Sequence, residues 1–127
     1  MIERFDNIGV AVTDFKRSAD WYGKLGFQQQ DDGEAGGAFT AGDAVLYIFQ
    51  TDSTQPAGRR EHDLVHNPPG IDHISFRVAD VDANHRELLA RGVTIEEGPT
   101  NQEWGSRTIT MLDPDGNRIY LLGPLKE

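Results

Sequence analysis

The sequence predicts an α+β fold of two tandem βαβββ modules forming a curved mixed-sheet cleft, and three observations lead to it. Shifting the chain by 66 positions lays Asn7-Ile-Gly-Val-Ala-Val-Thr-Asp14 on His73-Ile-Ser-Phe-Arg-Val-Ala-Asp80. At the same shift Gly26 falls on Gly92 and Phe27 on Val93. Further on the register becomes 73 and lays Leu46-Tyr47-Ile48 on Ile119-Tyr120-Leu121, which places seven extra residues in the second half, expected around 98–105. Self-similarity at a fixed period signals repeated supersecondary units that cannot bury their apolar faces alone. The expectation is one domain, 1–127, with a first module at 1–50, a linker at 51–70 and a second module at 71–127.

Each element has its own justification. Residues 5–12 alternate as a strand does, with Ile8, Val10 and Val12 on one face. Thr13-Asp14 offers an N-cap, and 15–25 reads as a helix because Phe15, Ala19, Tyr22 and Leu25 recur at helical spacing before Gly26 stops it. Short strands follow at 27–30, 38–40 and 45–50, parted by Gly-rich turns at 32–37 and 41–43. Residues 51–70, with Ser-Thr-Gln-Pro, Gly-Arg-Arg and Asn-Pro-Pro-Gly, are too polar for core and read as a linker or a long excursion. A strand at 72–78 opens the second module. Asp80 caps a helix at 81–91, Gly92 ends it, and strands at 93–96, 107–112 and 118–122 complete the set. Asp113-Pro-Asp-Gly-Asn117 is a turn before the last strand. It lacks the spaced carboxylates and distal Glu of a calcium loop.

Composition removes whole classes of function. Twelve Lys and Arg stand against 21 Asp and Glu, a formal net charge of −9, and cysteine is absent. Without cysteine there is no disulfide scaffold, zinc ribbon or thiol nucleophile. The acidic surplus opposes binding to a phosphate backbone, which needs clustered cations, so no nucleic-acid partner is expected. It suits a neutral or cationic small molecule. Apolar runs such as 44–49 are far shorter than the roughly 20 residues of a membrane span. The N-terminus Met-Ile-Glu-Arg-Phe-Asp has no long apolar stretch behind positive charge. The expectation is a soluble cytoplasmic protein. No serine sits in a Gly-x-Ser-x-Gly context. His62 and His66 are four apart, a spacing that matters only on a helix, and 59–70 shows no helical period.

Asn7–Val12, Ser18-Ala-Asp-Trp-Tyr22, Leu25-Gly-Phe27, Ile71-Asp-His-Ile-Ser-Phe-Arg-Val78, Trp104-Gly-Ser-Arg107 and Asp113-Pro-Asp-Gly-Asn117 carry a family likeness. The sequence resembles the vicinal-oxygen-chelate superfamily of glyoxalase I, extradiol dioxygenases and the fosfomycin- and bleomycin-resistance proteins. It is nearest in motif to the bleomycin-resistance branch. In that superfamily's metalloenzymes, four side chains from the first and last strands of each half hold one divalent ion. The matching positions are Asn7, Tyr47, His73 and Tyr120, and the internal repeat makes the same four equivalent. Only His73 suits an ion of that kind, since an amide is neutral and a phenol ordinarily ionises near pH 10. The expectation is therefore no metal and no other cofactor.

The resemblance further implies a homodimer, and a tryptophan at the place of Trp104 that lines a groove for a flat, cationic antibiotic. The expected ligand-binding set is Asn7, Phe39, Tyr47, Phe49, His73, Trp104, Arg107 and Tyr120, with the aromatics supplying stacking surfaces. Three readings stay open. One is a metal-free binding protein that sequesters an aromatic or cationic natural product. The second is a metal-dependent lyase, isomerase or dioxygenase anchored by His73. The third is a metal-free enzyme with His73 as general base, the best catalytic candidate. The cleft aromatics favour the first.

Overall fold

The computed structural model describes residues 1–53, 55 and 64–127. The chain divides into two units, Met1–Gln55 and Pro56–Glu127, each carrying one four-stranded sheet and one α-helix. The two βαβββ modules are both present. In the first, β1 (Ile8–Val12) pairs parallel with β4 (Ala44–Gln50), which pairs antiparallel with β3 (Gly36–Ala41) and so to β2 (Gln28–Gln29). The second repeats this order with β5 (His73–Arg77), β8 (Arg118–Gly123), β7 (Arg107–Leu112) and β6 (Glu97–Asn101). The helices are α1 (Phe15–Lys24) and α2 (Val81–Ala90). No helix among the described residues is long and apolar enough to cross a membrane.

Local chemistry explains why the helices begin and end where they do. Asp14 and Asp80 are extended, and their carboxylates accept from Arg17 N at 3.1 Å and Ala83 N at 3.0 Å. Each thereby satisfies one of the orphan amides of a first helical turn. At the far ends Gly26 and Gly92 have φ of 104° and 81°, a region that costs a side chain with a Cβ. Phe27 N donates to Tyr22 O at 3.1 Å and Gly26 N to Gly23 O at 3.0 Å, while Val93 N donates to Leu88 O at 2.9 Å and Gly92 N to Leu89 O at 3.0 Å. Both are Schellman stops, and Phe27 packs on Tyr22 with ring centroids 6.0 Å apart, as that motif favours. The shift of 66 thus holds down to single hydrogen bonds.

Each sheet is two-faced. In the first module Phe39, Leu46 and Ile48 are buried toward α1, with Phe15 edge-on to Phe39 at 5.9 Å. In the second, Ile109, Met111, Ile119 and Leu121 are buried on the face that meets Val81 and Leu88 of α2. The ladder Ile8↔Leu46 and Gly9↔Tyr47 corresponds to Ile74↔Ile119 and Ser75↔Tyr120, so the residues laid on one another also share a face.

Two expectations need correction. The seven extra residues do not all lie at 98–105. Gln30 N bonds to Ala38 O, eight residues on, whereas Glu96 N bonds to Thr110 O, fourteen on, so the β6–β7 hairpin holds six of them. The seventh is in the last turn, since Ala38 pairs with Tyr47 but Thr110 with Tyr120. That turn is closed by Asp113, whose buried carboxylate accepts from Asp115 N, Asn117 N and Asn117 Nδ2. The strand expected at 93–96 instead forms as β6, Glu97–Asn101, because Val93 is spent on the helix stop. In the polar segment, Leu64–His66 forms a short 3₁₀ turn with no buried residue, and His62 lies outside the described residues.

Replacing either helix cap, Asp14→Ala or Asp80→Ala, is expected to cost about 1 kcal/mol. Urea unfolding should show this as a lower midpoint at unchanged slope, and a loss below a few tenths of a kcal/mol for both would contradict the capping role.

Candidate functional site

Alternation along the strands divides the expected site residues into those facing a helix and those facing away. On the face of the first sheet away from α1, Tyr47 and Phe49 lie two apart on β4, with ring centroids 6.0 Å apart and planes tilted 32°. Both are exposed, at 47% and 38%. Their ladder partners are small, Gly9 and Ala11 on β1, Gly36 and Ala38 on β3. A Cβ on Gly36 would come within 3.3 Å of Phe49 Cβ and 3.5 Å of the Tyr47 hydroxyl, so the rings lie close over a floor of glycine and alanine. Asn7 is exposed just before β1 and donates its Nδ2 to Asp6 at 2.6 Å.

In the second module, His73, Ser75, Arg118 and Tyr120 share the face away from α2. The imidazole of His73 stacks on the Tyr120 ring at 4.3 Å with planes 26° apart. His73 Nδ1 lies 2.7 Å from Asp72 Oδ2, and Asp72 Oδ1 accepts from Asn67 Nδ2 at 2.6 Å. Asp72 and Asn67 were not expected at the site; the signal available was the Asp-His dipeptide opening the strand. Burial pushes the Tyr120 hydroxyl above the usual phenol range, Asp72 and Glu97 add to the shift, and Arg118 works against it. Tyr120 is therefore a neutral phenol, able to donate a hydrogen bond at any physiological pH. Beside it, Thr110 is buried and its Oγ1 has no hydrogen-bond partner among the described residues.

Three expected residues sit elsewhere. Phe39 is only 2% exposed and packs under α1, because as the ladder partner of Leu46 it faces the helix. It is core rather than a stacking wall. Arg107 also faces its helix: Nε and Nη2 grip the two carboxylate oxygens of Asp82 on α2 at 2.7 and 3.0 Å. That fork clamps α2 to β7 and takes Arg107 out of the binding set. Trp104 stands in the β6–β7 hairpin loop, 63% exposed, beside Gly105 at φ 106°. A cavity of about 300 Å³ beside the start of α2 is lined by Asp80, Asp82, Arg86 and Lys126 among others, and contains none of the expected residues.

The donors at the four equivalent positions do not fit a tightly held divalent ion. They amount to one imidazole, one neutral amide and two phenols, of which Tyr120 resists ionisation. Among the described residues no three His, Asp or Glu side chains come together as a metal-holding group.

The Arg107 guanidinium, chiefly through its hydrogen bond, holds the Asp82 carboxyl below the usual carboxylate range. A carboxyl lowered in the folded state stabilises above its ordinary pKa of about 3.9 and loses that contribution as pH falls through the lowered value. Asp82→Asn should therefore reduce thermal stability at neutral pH and make progressively less difference in strong acid. A deficit that stayed constant down to pH 2, about two units below the ordinary carboxylate pKa, would contradict this.

The sequence model of the Glyoxalase/Bleomycin resistance protein/Dioxygenase superfamily matches residues 4–121. Among solved structures, the chain is similar to TnmS3, an antibiotic binding protein from Streptomyces sp. CB03234, at 30% identity and TM-score 0.70, covering 98% of each chain. It is similar in fold to a glyoxalase family protein from Enterococcus faecalis (20% identity, TM-score 0.76, covering 94% of this chain and 97% of that one). It is likewise similar in fold to a bleomycin-binding protein complexed with bleomycin (20% identity, TM-score 0.70, covering 97% and 100%). No curated protein matches the sequence.

Proposed function

The chain belongs to the Glyoxalase/Bleomycin resistance protein/Dioxygenase superfamily, and from that premise we propose that it is a small-molecule binding protein that sequesters an aromatic or cationic natural product without a metal. The observation that carries this reading is the chemistry at the positions where the family's metalloenzymes hold their ion. Here those positions carry Asn7, Tyr47, His73 and Tyr120, a single good ligand among them, and three of the four are rings, Tyr47 lying beside Phe49 and His73 on Tyr120. Stacked rings contribute about 0.5–1.5 kcal/mol per pair beyond the area they bury. The net charge of −9 draws a cation toward them, and a cation over a ring adds about 0.5–2 kcal/mol. Trp104 offers a further flat, accessible ring face in the second module. The antibiotic-binding neighbours support the class of ligand. Homodimer assembly in the cytoplasm belongs to the same reading, and sedimentation equilibrium tests the dimer.

Calorimetric titration with bleomycin as the probe tests the function. Tyr120→Ala and Tyr47→Ala are each expected to weaken binding at least tenfold, about 1.4 kcal/mol, and Trp104→Ala several-fold. Affinity should be the same before and after chelator treatment. Binding that appears only when a divalent ion is restored would overturn the metal-free reading and favour a metalloenzyme anchored by His73.

The hydrogen bond from His73 to Asp72 favours one second reading, a metal-free enzyme with His73 as general base, because a carboxylate accepting from Nδ1–H leaves Nε2 as the ring's acceptor. Mass spectrometry of probe recovered after prolonged incubation separates the two. Unchanged probe is expected, and turnover abolished by His73→Ala would establish the enzyme.

A further inference from the structure

Sequestration by stacking alone would accept any flat ring, yet the imidazole beside Tyr120 is held far more tightly than a stacking partner requires. Two constraints act on it at right angles. Tyr120 fixes its plane through a face contact at 4.3 Å, and Asp72 fixes its rotation through an in-plane bond of 2.7 Å to Nδ1. Asp72 is itself pinned, since Asn67 Nδ2 occupies its other oxygen at 2.6 Å. A carboxylate can only accept, so it keeps the imidazole proton on Nδ1 and leaves the Nε2 lone pair available. His73 Nε2 has no hydrogen-bond partner among the described residues. Asp72 and Asn67 both lie outside the buried core, and the bonds between them and His73 run in series to the ring.

Resting on the binding reading above, we propose that Asp72 is a positioning residue that fixes His73 in the Nδ1–H tautomer, so that the site selects aromatic ligands carrying an O–H or N–H donor for His73 Nε2. The preferred ligand is a phenol-like or amine-bearing ring. An acceptor-only analogue presents a lone pair to a lone pair, and a buried polar group without a partner loses affinity. An anionic analogue is rejected further by the acid-rich chain.

Two measurements test this. The first is the side-chain ¹⁵N spectrum of histidine-labelled protein recorded across a pH series, in which the neutral ring is recognised by its two unequal nitrogen shifts. His73 is identified by the signal lost in His73→Gln. The wild type is expected to show a protonated Nδ1 and a bare Nε2, and Asp72→Asn, whose amide can instead donate, should mix or invert the tautomers. A wild-type Nε2–H tautomer overturns the proposal, and this arm needs no variant of Asp72 to fold. The second compares 2-naphthol with 2-methoxynaphthalene, rings alike except for the donor. Wild type should bind the naphthol roughly five- to tenfold more tightly, as expected for one hydrogen bond. In Asp72→Asn that ratio should fall to within about twofold. Equal binding of the two by wild type overturns the selection rule while leaving the sequestration reading intact. Binding of neither overturns that reading, and with it the ligand half of the proposal.

Discussion

Each module is governed by the burial of one face of its sheet under its own helix. Aliphatic side chains at alternate positions of the paired strands supply that face, and the hydrophobic gain from covering them stabilises a unit too small to fold from backbone pairing alone. Because side chains alternate strictly along a strand, this one constraint also settles what the other face can carry. In β4, Leu46 and Ile48 are committed to α1, so Tyr47 and Phe49 must face away. In β8, Ile119 and Leu121 are committed to α2, and Tyr120 must face away with His73. A one-residue slip in either ladder would exchange core and ring surface.

The ring surface has a consistent chemistry. Tyr47, Phe49, His73 and Tyr120 present area and polarisable ring faces rather than a set of charged donors. Tyr120 shows this most plainly: burial raises its phenol away from ionisation, which unsuits it for an ion and suits it to donate a hydrogen bond. Stacked on a ring and tied to a carboxylate, His73 has the geometry of an acceptor whose orientation is set before a ligand arrives, which reduces the ordering cost of binding.

Polar residues elsewhere serve the frame. Arg107 and Asp82 hold α2 to β7, and Asp113 closes the last turn with three accepted bonds. None of these carboxylates is spare for chemistry. The distinction matters in so acidic a chain, where several Asp residues could be taken for ligands on composition alone.

The sequence by itself determined the architecture. The 66-residue repeat, the two Asp caps and the two Gly stops are local signals, written in residues whose backbone preferences do not depend on distant partners, and both helices formed where those signals put them. The repeat also made Asn7 equivalent to His73 and Tyr47 to Tyr120 without coordinates. Tertiary structure alone decided which way a residue faces when its neighbours give no alternation to read. Phe39 lies in a Gly- and Ala-rich strand, and only its pairing with Leu46 turned it into the core. Arg107 shares the helix-side face of Ile109 and Met111 by alternation, but only the approach of Asp82 from α2, 25 residues away in sequence, gave it a partner there. The placement of the inserted residues and the grip of Asn67 and Asp72 on His73 were likewise decided by hydrogen bonds whose partners no spacing rule foretells.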